Sequence, residues 1–343
     1  MPSVSNPNLP LSIIRFSTIS AYRAWRHEAL LDGKTVGFVP TMGALHEGHI
    51  SLVKRSLVAN DLTVVSIFVN PAQFAPHEDL ATYPRTLPRD MELLKDLKVD
   101  VADQTSGDRV KRRVAAVFAP TVVEMYPSGI VQNIAEQKGA FVEVKGFGHQ
   151  MEGKSRPTFF RGVTTVVTKL FNVVQPTHAY FGQKDIQQAL ILKRLCRDLL
   201  FGYPEHQNVH IIPTERDSTD ELALSSRNQY LTVDGRKVAS ILIEALKAAA
   251  KAWTESRSKA ECIEEAYRTV ERKEAKAKSD GLQVVIKLDY IEMNDAESFD
   301  VLEGEVQRDE EESRVVILSG ALYIDKTRLI DNILLGNASH IIG

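Results

Sequence analysis

The sequence predicts a parallel α/β domain followed by a smaller α+β domain, and three observations carry that expectation. Short apolar runs at residues 36–39, 62–69 and 178–181 are separated by stretches with helical apolar spacing, the order of strand–helix–strand crossovers. The runs are apolar almost throughout, as suits strands buried on both faces of a sheet. Beyond residue 213 two helical stretches, 232–256 and 259–278, precede segments at 287–293 and 315–324 that alternate like strands of a small sheet. Two domains are therefore expected, 1–212 and 213–343.

Composition narrows the function. A chain of 343 residues holds one large or two moderate domains, and 43% hydrophobic with 25% charged residues is ordinary for a globular enzyme. The net charge of -3 lacks the basic excess of a nucleic-acid binder. Cys196 and Cys262 stand far apart with no metal-ligand neighbour, so reduced thiols in a cytoplasmic protein are expected. No apolar stretch reaches membrane-spanning length and the N-terminus has no secretory or transit pattern; residues 1–10 read as a disordered lead.

Taken in order, residues 13–16 read as a short strand and 19–31 as a helix with Tyr22, Trp25 and Leu30 on its apolar side, ended by Gly33. The strand 36–39 is closed by Pro40, which lacks an N–H. Thr41, Gly43, His46, Gly48 and His49 follow, and Ile50, Leu52, Val53 and Leu57 announce a helix to about residue 60. Free amides and the helix dipole make such a corner a phosphate site. A histidine near a helix start is more often a cap or a surface residue. Two of them three residues apart, however, reach one bound group and can donate to charge building as an α-phosphate is attacked. That points to adenylyl transfer.

At the carboxyl end of the strand at 62–69, Asn70 and Gln73 offer amides to a small polar substrate, although Asn70 before Pro71 is also a turn signal. Residues 100–113 form a charged insertion whose Lys111, Arg112 and Arg113 suit a solvated loop, and 131–150 suit a hairpin turning at Gly146 and Gly148. Arg156, held extended before Pro157, can pair with a carboxylate or phosphate. A core helix is expected at 163–174. The strand at 178–181 delivers Gly182, Gln183, Lys184 and Asp185, a set suited to ribose, phosphate and a metal-bound water. A helix at 186–199 and a strand at 209–212 complete the first domain. Ser225, Ser226 and Arg227 can bind phosphate oxygens, and 303–312 is an acidic solvated loop.

HEGH at 46–49 matches the HxGH signature of the nucleotidylyltransferase superfamily, and the longer PTMGALHEGH resembles the pantothenate synthetase family. FVNPAQF (68–74), YPRT (83–86), FAPTVVEMYP (118–127), FGQKDIQQ (181–188), LALSSRN (222–228) and TRLIDN (327–332) extend the resemblance over nearly the whole chain. It implies a Rossmann-like parallel sheet and ATP-dependent condensation of (R)-pantoate with β-alanine through a pantoyl-adenylate, releasing AMP and pyrophosphate. By that resemblance His49, His46 and Lys184 are catalytic, with His49 protonating the departing pyrophosphate. The ATP site comprises Met42, Gly43, Ala44, Leu45, His46, Glu47, Gly48, His49, Gly182, Gln183, Lys184, Asp185, Glu215, Leu224, Ser225, Ser226 and Arg227. Gln73, Gln188, Asn70 and Arg156 bind pantoate and β-alanine. Mg²⁺ travels with ATP, no protein metal cage is expected, and the family likeness implies a homodimer without nucleic-acid or membrane partners. Three departures stand out: Phe159 where the family has histidine, Gln183 for glutamate, and Glu221 for glycine. Phe159 and Glu221 motivate a rival reading as a nucleotide-binding protein without turnover. A different nucleotidylyltransferase is disfavoured by Gln73 and Gln188, since a phosphorylated acceptor prefers arginine.

Overall fold

The computed structural model describes residues 13–102, 109–309 and 314–342. Strand β1 (Ile14–Phe16) leads into α1 (Ile19–Leu31), whose N-cap Thr18 accepts from the Ala21 amide and whose Tyr22, Arg26 and Ala29 turn inward. Next come β2 (Val36–Thr41), α2 (Glu47–Ala59) and β3 (Leu62–Ile67), a crossover unit in which β2 and β3 pair in parallel from Val36–Leu62 to Thr41–Ile67. Pro40 does not end β2, contrary to the sequence expectation. On the other side β2 pairs with the strand at residues 178–182 only at Gly37 and Phe38, so Pro40 lies where one neighbour has gone and a missing N–H is tolerated.

Helix α3 (Leu87–Asp96) has no counterpart among the sequence expectations. After it, β4 (Val99–Ala102) and β5 (Arg109–Arg112) form an antiparallel hairpin in place of the expected solvated loop, with its tip at 103–108 outside the described residues. Arg112 explains the difference. Its Nη1 donates to the carbonyls of Leu57, Val58 and Asn60, at 3.4, 3.3 and 2.6 Å, and so caps the carboxyl end of α2. A guanidinium there satisfies carbonyls that have no helical partner and complements the dipole.

Strand β6 (Ala116–Phe118) slots between β1 and β3, and α4 (Val122–Met125) and α5 (Glu152–Ser155) are single turns. The hairpin expected at 131–150 is absent. Its backbone is satisfied elsewhere: Val142 bonds to the hydroxyls of Thr164 and Thr165, and the carbonyls of Phe147 and Gln150 accept from Gln187. Helix α6 (Phe159–Val174) is the most buried of the described helices, with Phe171 packed edge-on against Phe38, Phe181 and Phe201. Strand β7 (His178–Gly182), helix α7 (Ile186–Asp198) and β8 (Val209–Ile212) complete a six-stranded parallel sheet in the order β1-β6-β3-β2-β7-β8.

The remainder holds α8 (Val233–Val238), α9 (Ile241–Thr254) and α10 (Lys259–Ser279) over a three-stranded antiparallel sheet of β9 (Ile286–Asp295), β10 (Val316–Ile324) and β11 (Thr327–Leu335), ordered β11-β10-β9. The helix expected at 232–256 is broken at Ala239 and Ser240. Strand β11 carries the TRLIDN motif, and its Asn332 bonds to the loop that follows β7. Residues 303–309 bond to the start of α10 through the carbonyls of Gly304 and Val306, while 310–313 of the acidic loop and the lead at 1–12 lie outside the described residues. One core runs from the parallel sheet into the smaller one, where Phe299, Val315 and Ile317 join α6 and α7 side chains. Among the described residues no helix is long and apolar enough to cross a membrane.

Replacing Arg112 with alanine leaves the α2 carbonyls uncapped and is expected to cost about 1–2 kcal/mol of stability, measured as a lower denaturation midpoint; an unchanged midpoint would remove the capping role.

Candidate active site

The turn between β2 and α2 is built around a carboxylate. Asp90, fully buried on α3, accepts from the amides of Ala44 at 3.0 Å and Leu45 at 2.9 Å and from the Thr86 hydroxyl. Ala44 sits at φ 50°, in the left-handed region that costs a non-glycine residue energy, and these bonds hold it there. Two of the amides in the turn expected to meet phosphate, those of Ala44 and Leu45, are thus already occupied by a buried side chain.

What the turn presents instead is imidazole. His46 is the N-cap of α2, and its Nδ1 accepts from the Gly48 amide at 3.2 Å. That bond places its proton on Nε2. The ring lies so close over the helix start that a Cβ on residue 48 would stand 2.9 Å from it, which is why glycine separates the two histidines. The His46 and His49 rings lie 4.1 Å apart. Burial, with Lys184 nearby, pulls His46 down to about 4, and burial, then His46 and Lys184, hold His49 well below the usual imidazole range. Both rings are neutral at neutral pH. The buried Nδ1 of His49 has no hydrogen-bond partner among the described residues.

The rings open on a cleft of about 1190 Å³ at the carboxyl ends of β2, β3 and β7, where ligands bind in open α/β sheets. Lys184 and Asp185, 3.0 Å apart, line the same cleft, with Lys184 close enough to act on both rings. Their loop is gripped from β11: Asn332 donates to the carbonyls of Gln183 and Lys184 and accepts from Gln183 Nε2, while Asp331 takes a bidentate bond from Arg216 at 2.6 and 2.8 Å. At the mouth, Arg227 pairs with Asp79 at 3.1 Å and the Ser226 hydroxyl meets Tyr83 at 3.2 Å.

Amides and ion pairs line the other end. Asn70 bonds to Gln73, Gly162, Tyr126 and the Ala72 amide, so all of its hydrogen-bonding capacity is spent on protein. Arg156 forks onto Glu78 at 2.6 and 2.7 Å and approaches Glu152, which also pairs with Arg328. The departure at Phe159 is a packing one: its ring lies 3.9 Å from the Arg156 guanidinium and against Phe160. Glu221 adopts φ 61°, the conformation a glycine would take freely, and is held by the Asp217 carbonyl, by Arg216 on its own carbonyl, and by Lys247 on its carboxylate.

Of the residues singled out in the sequence, Met42, His46, Gly48, His49, Asn70, Gln73, Arg156, Gly182, Lys184, Asp185, Gln188, Glu215, Leu224, Ser225, Ser226 and Arg227 all line this one cleft. Gly43, Ala44, Leu45, Glu47 and Gln183 do not: the first three lie in the Asp90-held turn, Glu47 is exposed on the first turn of α2, and Gln183 turns to Asn332. Sequence reasoning missed Asp90, Asp79 and Tyr126. A lone acid on an unsignalled helix leaves no trace in the pattern, whereas the TRLIDN motif marked Asp331 and Asn332 without showing what they hold.

A parallel α/β sheet ending in a deep cleft walled by imidazoles, an ammonium and a guanidinium defines an α/β enzyme that handles an anionic ligand. Residues 14–334 match the family described as pantoate-beta-alanine ligase, and the chain belongs to it. It is 40% identical to the pantoate-beta-alanine ligase of Saccharomyces cerevisiae, over 93% of this chain and 99% of that one. It is 42% identical to the pantothenate synthetase of Moorella thermoacetica, over 93% and 97%. Its structure resembles pantothenate synthetase from Thermus thermophilus with a TM-score of 0.70 at 37% identity, covering 94% of this chain and 99% of that one. The pantoate-beta-alanine ligase of Francisella tularensis, solved with beta-gamma ATP and beta-alanine, gives 0.66 at 32%, covering 94% and 98%.

Because the folded chain resists protonating His46 and His49 while the unfolded chain titrates near 6.5, the unfolded state takes up more protons below that pH. The stability contributed by neutral imidazoles is complete above about pH 6.5 and is lost on the way down to about 4. Melting temperatures of a His46→Gln, His49→Gln variant should therefore fall less between pH 7 and 5 than those of the parent; equal slopes would contradict neutral rings.

Proposed function

We propose that the protein is a ligase that condenses pantoate with β-alanine at the expense of ATP, and the single observation carrying this is the close pair of neutral imidazoles beside Lys184 in the cleft. A carboxylate is a poor acylating agent because its leaving group would be oxide. A pantoate carboxylate oxygen therefore attacks the α-phosphorus of ATP, the bond from that phosphorus to the bridging oxygen breaks, and pyrophosphate leaves. The amine of β-alanine then attacks the acyl carbon of the pantoyl-adenylate, losing a proton as AMP departs.

His46 Nε2–H and the His49 ring donate hydrogen bonds to the α-phosphate oxygens, where charge grows in the transition state. Their low basicity suits them as hydrogen-bond donors more than as a source of a full proton for pyrophosphate. Lys184, Ser225, Ser226 and Arg227 hold the phosphate chain, and Glu215 and Leu224 lie toward the nucleoside. Arg227 exchanges Asp79 for phosphate as it does so. Asp185, which lines the cleft beside Lys184, would offer its carboxylate to the water shell of Mg²⁺ carried with ATP, and that ion would offset phosphate charge. Gln73 and Gln188 receive pantoate, and their neutrality favours a non-phosphorylated acid. The C-terminal part from residue 213 serves as a lid domain carrying the Ser225–Arg227 turn. A cytoplasmic homodimer, as the family likeness implies, belongs to the same reading.

Pantoate alone should support exchange of pyrophosphate into ATP, and AMP should appear only when β-alanine is also present. Exchange that requires β-alanine would overturn the two-step route. His49→Ala should lower kcat by about 10²–10³-fold, the usual effect of removing one preorganised donor, in a steady-state assay of AMP release.

A further inference from the structure

A hydrogen-bond chain of fixed direction ends at Gln73. It starts from two backbone groups whose polarity cannot be exchanged: the Gly162 carbonyl accepts from Asn70 Nδ2 at 3.2 Å, and the Ala72 amide donates to Asn70 Oδ1 at 3.4 Å. Asn70 is buried, and turning its amide over would set donor against donor and acceptor against acceptor. The approach needs glycine at 162, because a Cβ there would stand 2.1 Å from the Ala72 carbonyl oxygen.

Tyr126 adds to the lock. Its hydroxyl donates to Asn70 Oδ1 at 2.6 Å, and burial raises the phenol above its ordinary pKa, so it keeps its proton. Lys169 lies over the ring at 4.0 Å while donating to the Met125 carbonyl. With Oδ1 doubly engaged and one Nδ2 hydrogen given to Gly162, the second hydrogen goes to Gln73 Oε1 at 3.1 Å. Gln73 is further fixed by Arg156, which donates to its backbone carbonyl at 3.1 Å. Its Nε2 is then the group left for the cleft, and it has no protein partner among the described residues.

We propose that Tyr126 and Asn70 are positioning residues that lock Gln73 as a hydrogen-bond donor, so that this part of the cleft accepts an oxygen lone pair of the acid substrate, from a hydroxyl or carboxylate. The assignment rests on the acid-activation reading above and adds to it the direction of recognition. Asn70 thereby acts through Gln73 and makes no substrate contact of its own.

Asn70→Asp provides the test, because an ionised carboxylate has no hydrogen to give; Gln73 must then donate to it and show Oε1 to the cleft. The expected result is a rise of about 10- to 100-fold in the KM for pantoate in the exchange assay, with the KM for ATP unchanged. Adding Gln73→Ala to Asn70→Asp should cause little further loss, since both act at one group. Tyr126→Phe, which keeps the ring, should raise the KM for pantoate several-fold and leave that for ATP alone; it carries the test should Asn70→Asp fail to fold. Additive losses, or equal effects on both substrates, would overturn the relay while leaving the function standing. A parent protein without pantoate-dependent exchange would remove both together.

Discussion

The bond between the Asp90 carboxylate and two amides of the β2–α2 turn is the constraint on which the site depends. A glycine-bearing turn before a helix ordinarily offers its N–H groups to an external anion. Here a buried side chain takes two of them and holds Ala44 at positive φ, while the two imidazoles at the helix start line the cleft. Amides satisfied within the protein need no ligand to order them, so the turn that carries the rings is set by the protein itself.

The C-terminal part contributes more than a cover. Strand β11 reaches the first part of the chain through Asn332 and Asp331, which secure the Lys184 loop and the segment at Arg216, and through Arg328, which joins Glu152 and Asp289. The bonds of Asn332, of Asp331 and of Arg328 to Glu152 are half-buried or buried, where charged and amide groups must be paired to be tolerated. A shared apolar core beneath them ties both sheets together. The Lys184 loop and the segment at Arg216 are therefore held by one strand from outside the parallel sheet.

Elements of the parallel sheet were legible because their apolar pattern is local. The run at 36–39, the spacing in 186–199 and the run at 209–212 each announce burial without reference to anything distant. Elements that owe their form to a partner were not. The β4–β5 hairpin carries the Arg112 cap for a helix some fifty residues earlier, and the stretch at 131–150 bonds to Thr164, Thr165 and Gln187 in place of itself. Pro40, a stop signal by its lack of an N–H, is permitted within β2 by the loss of one neighbouring strand.

For the site, residue type and spacing by themselves determined which groups stand together along the chain: paired histidines three apart around a glycine, a lysine after a central strand, and a serine–arginine turn, all of which line one cleft. Those are local facts, since which groups are present and how far apart they stand along one helix needs no partner. Tertiary structure alone decided protonation and direction. Burial beside Lys184 makes the imidazoles neutral, Asp90 takes the Ala44 and Leu45 amides of the turn, and backbone groups from two other segments orient Asn70 and Gln73. Each of these depends on what lies across space, where desolvation and hydrogen-bond polarity act and where spacing along the chain carries no information.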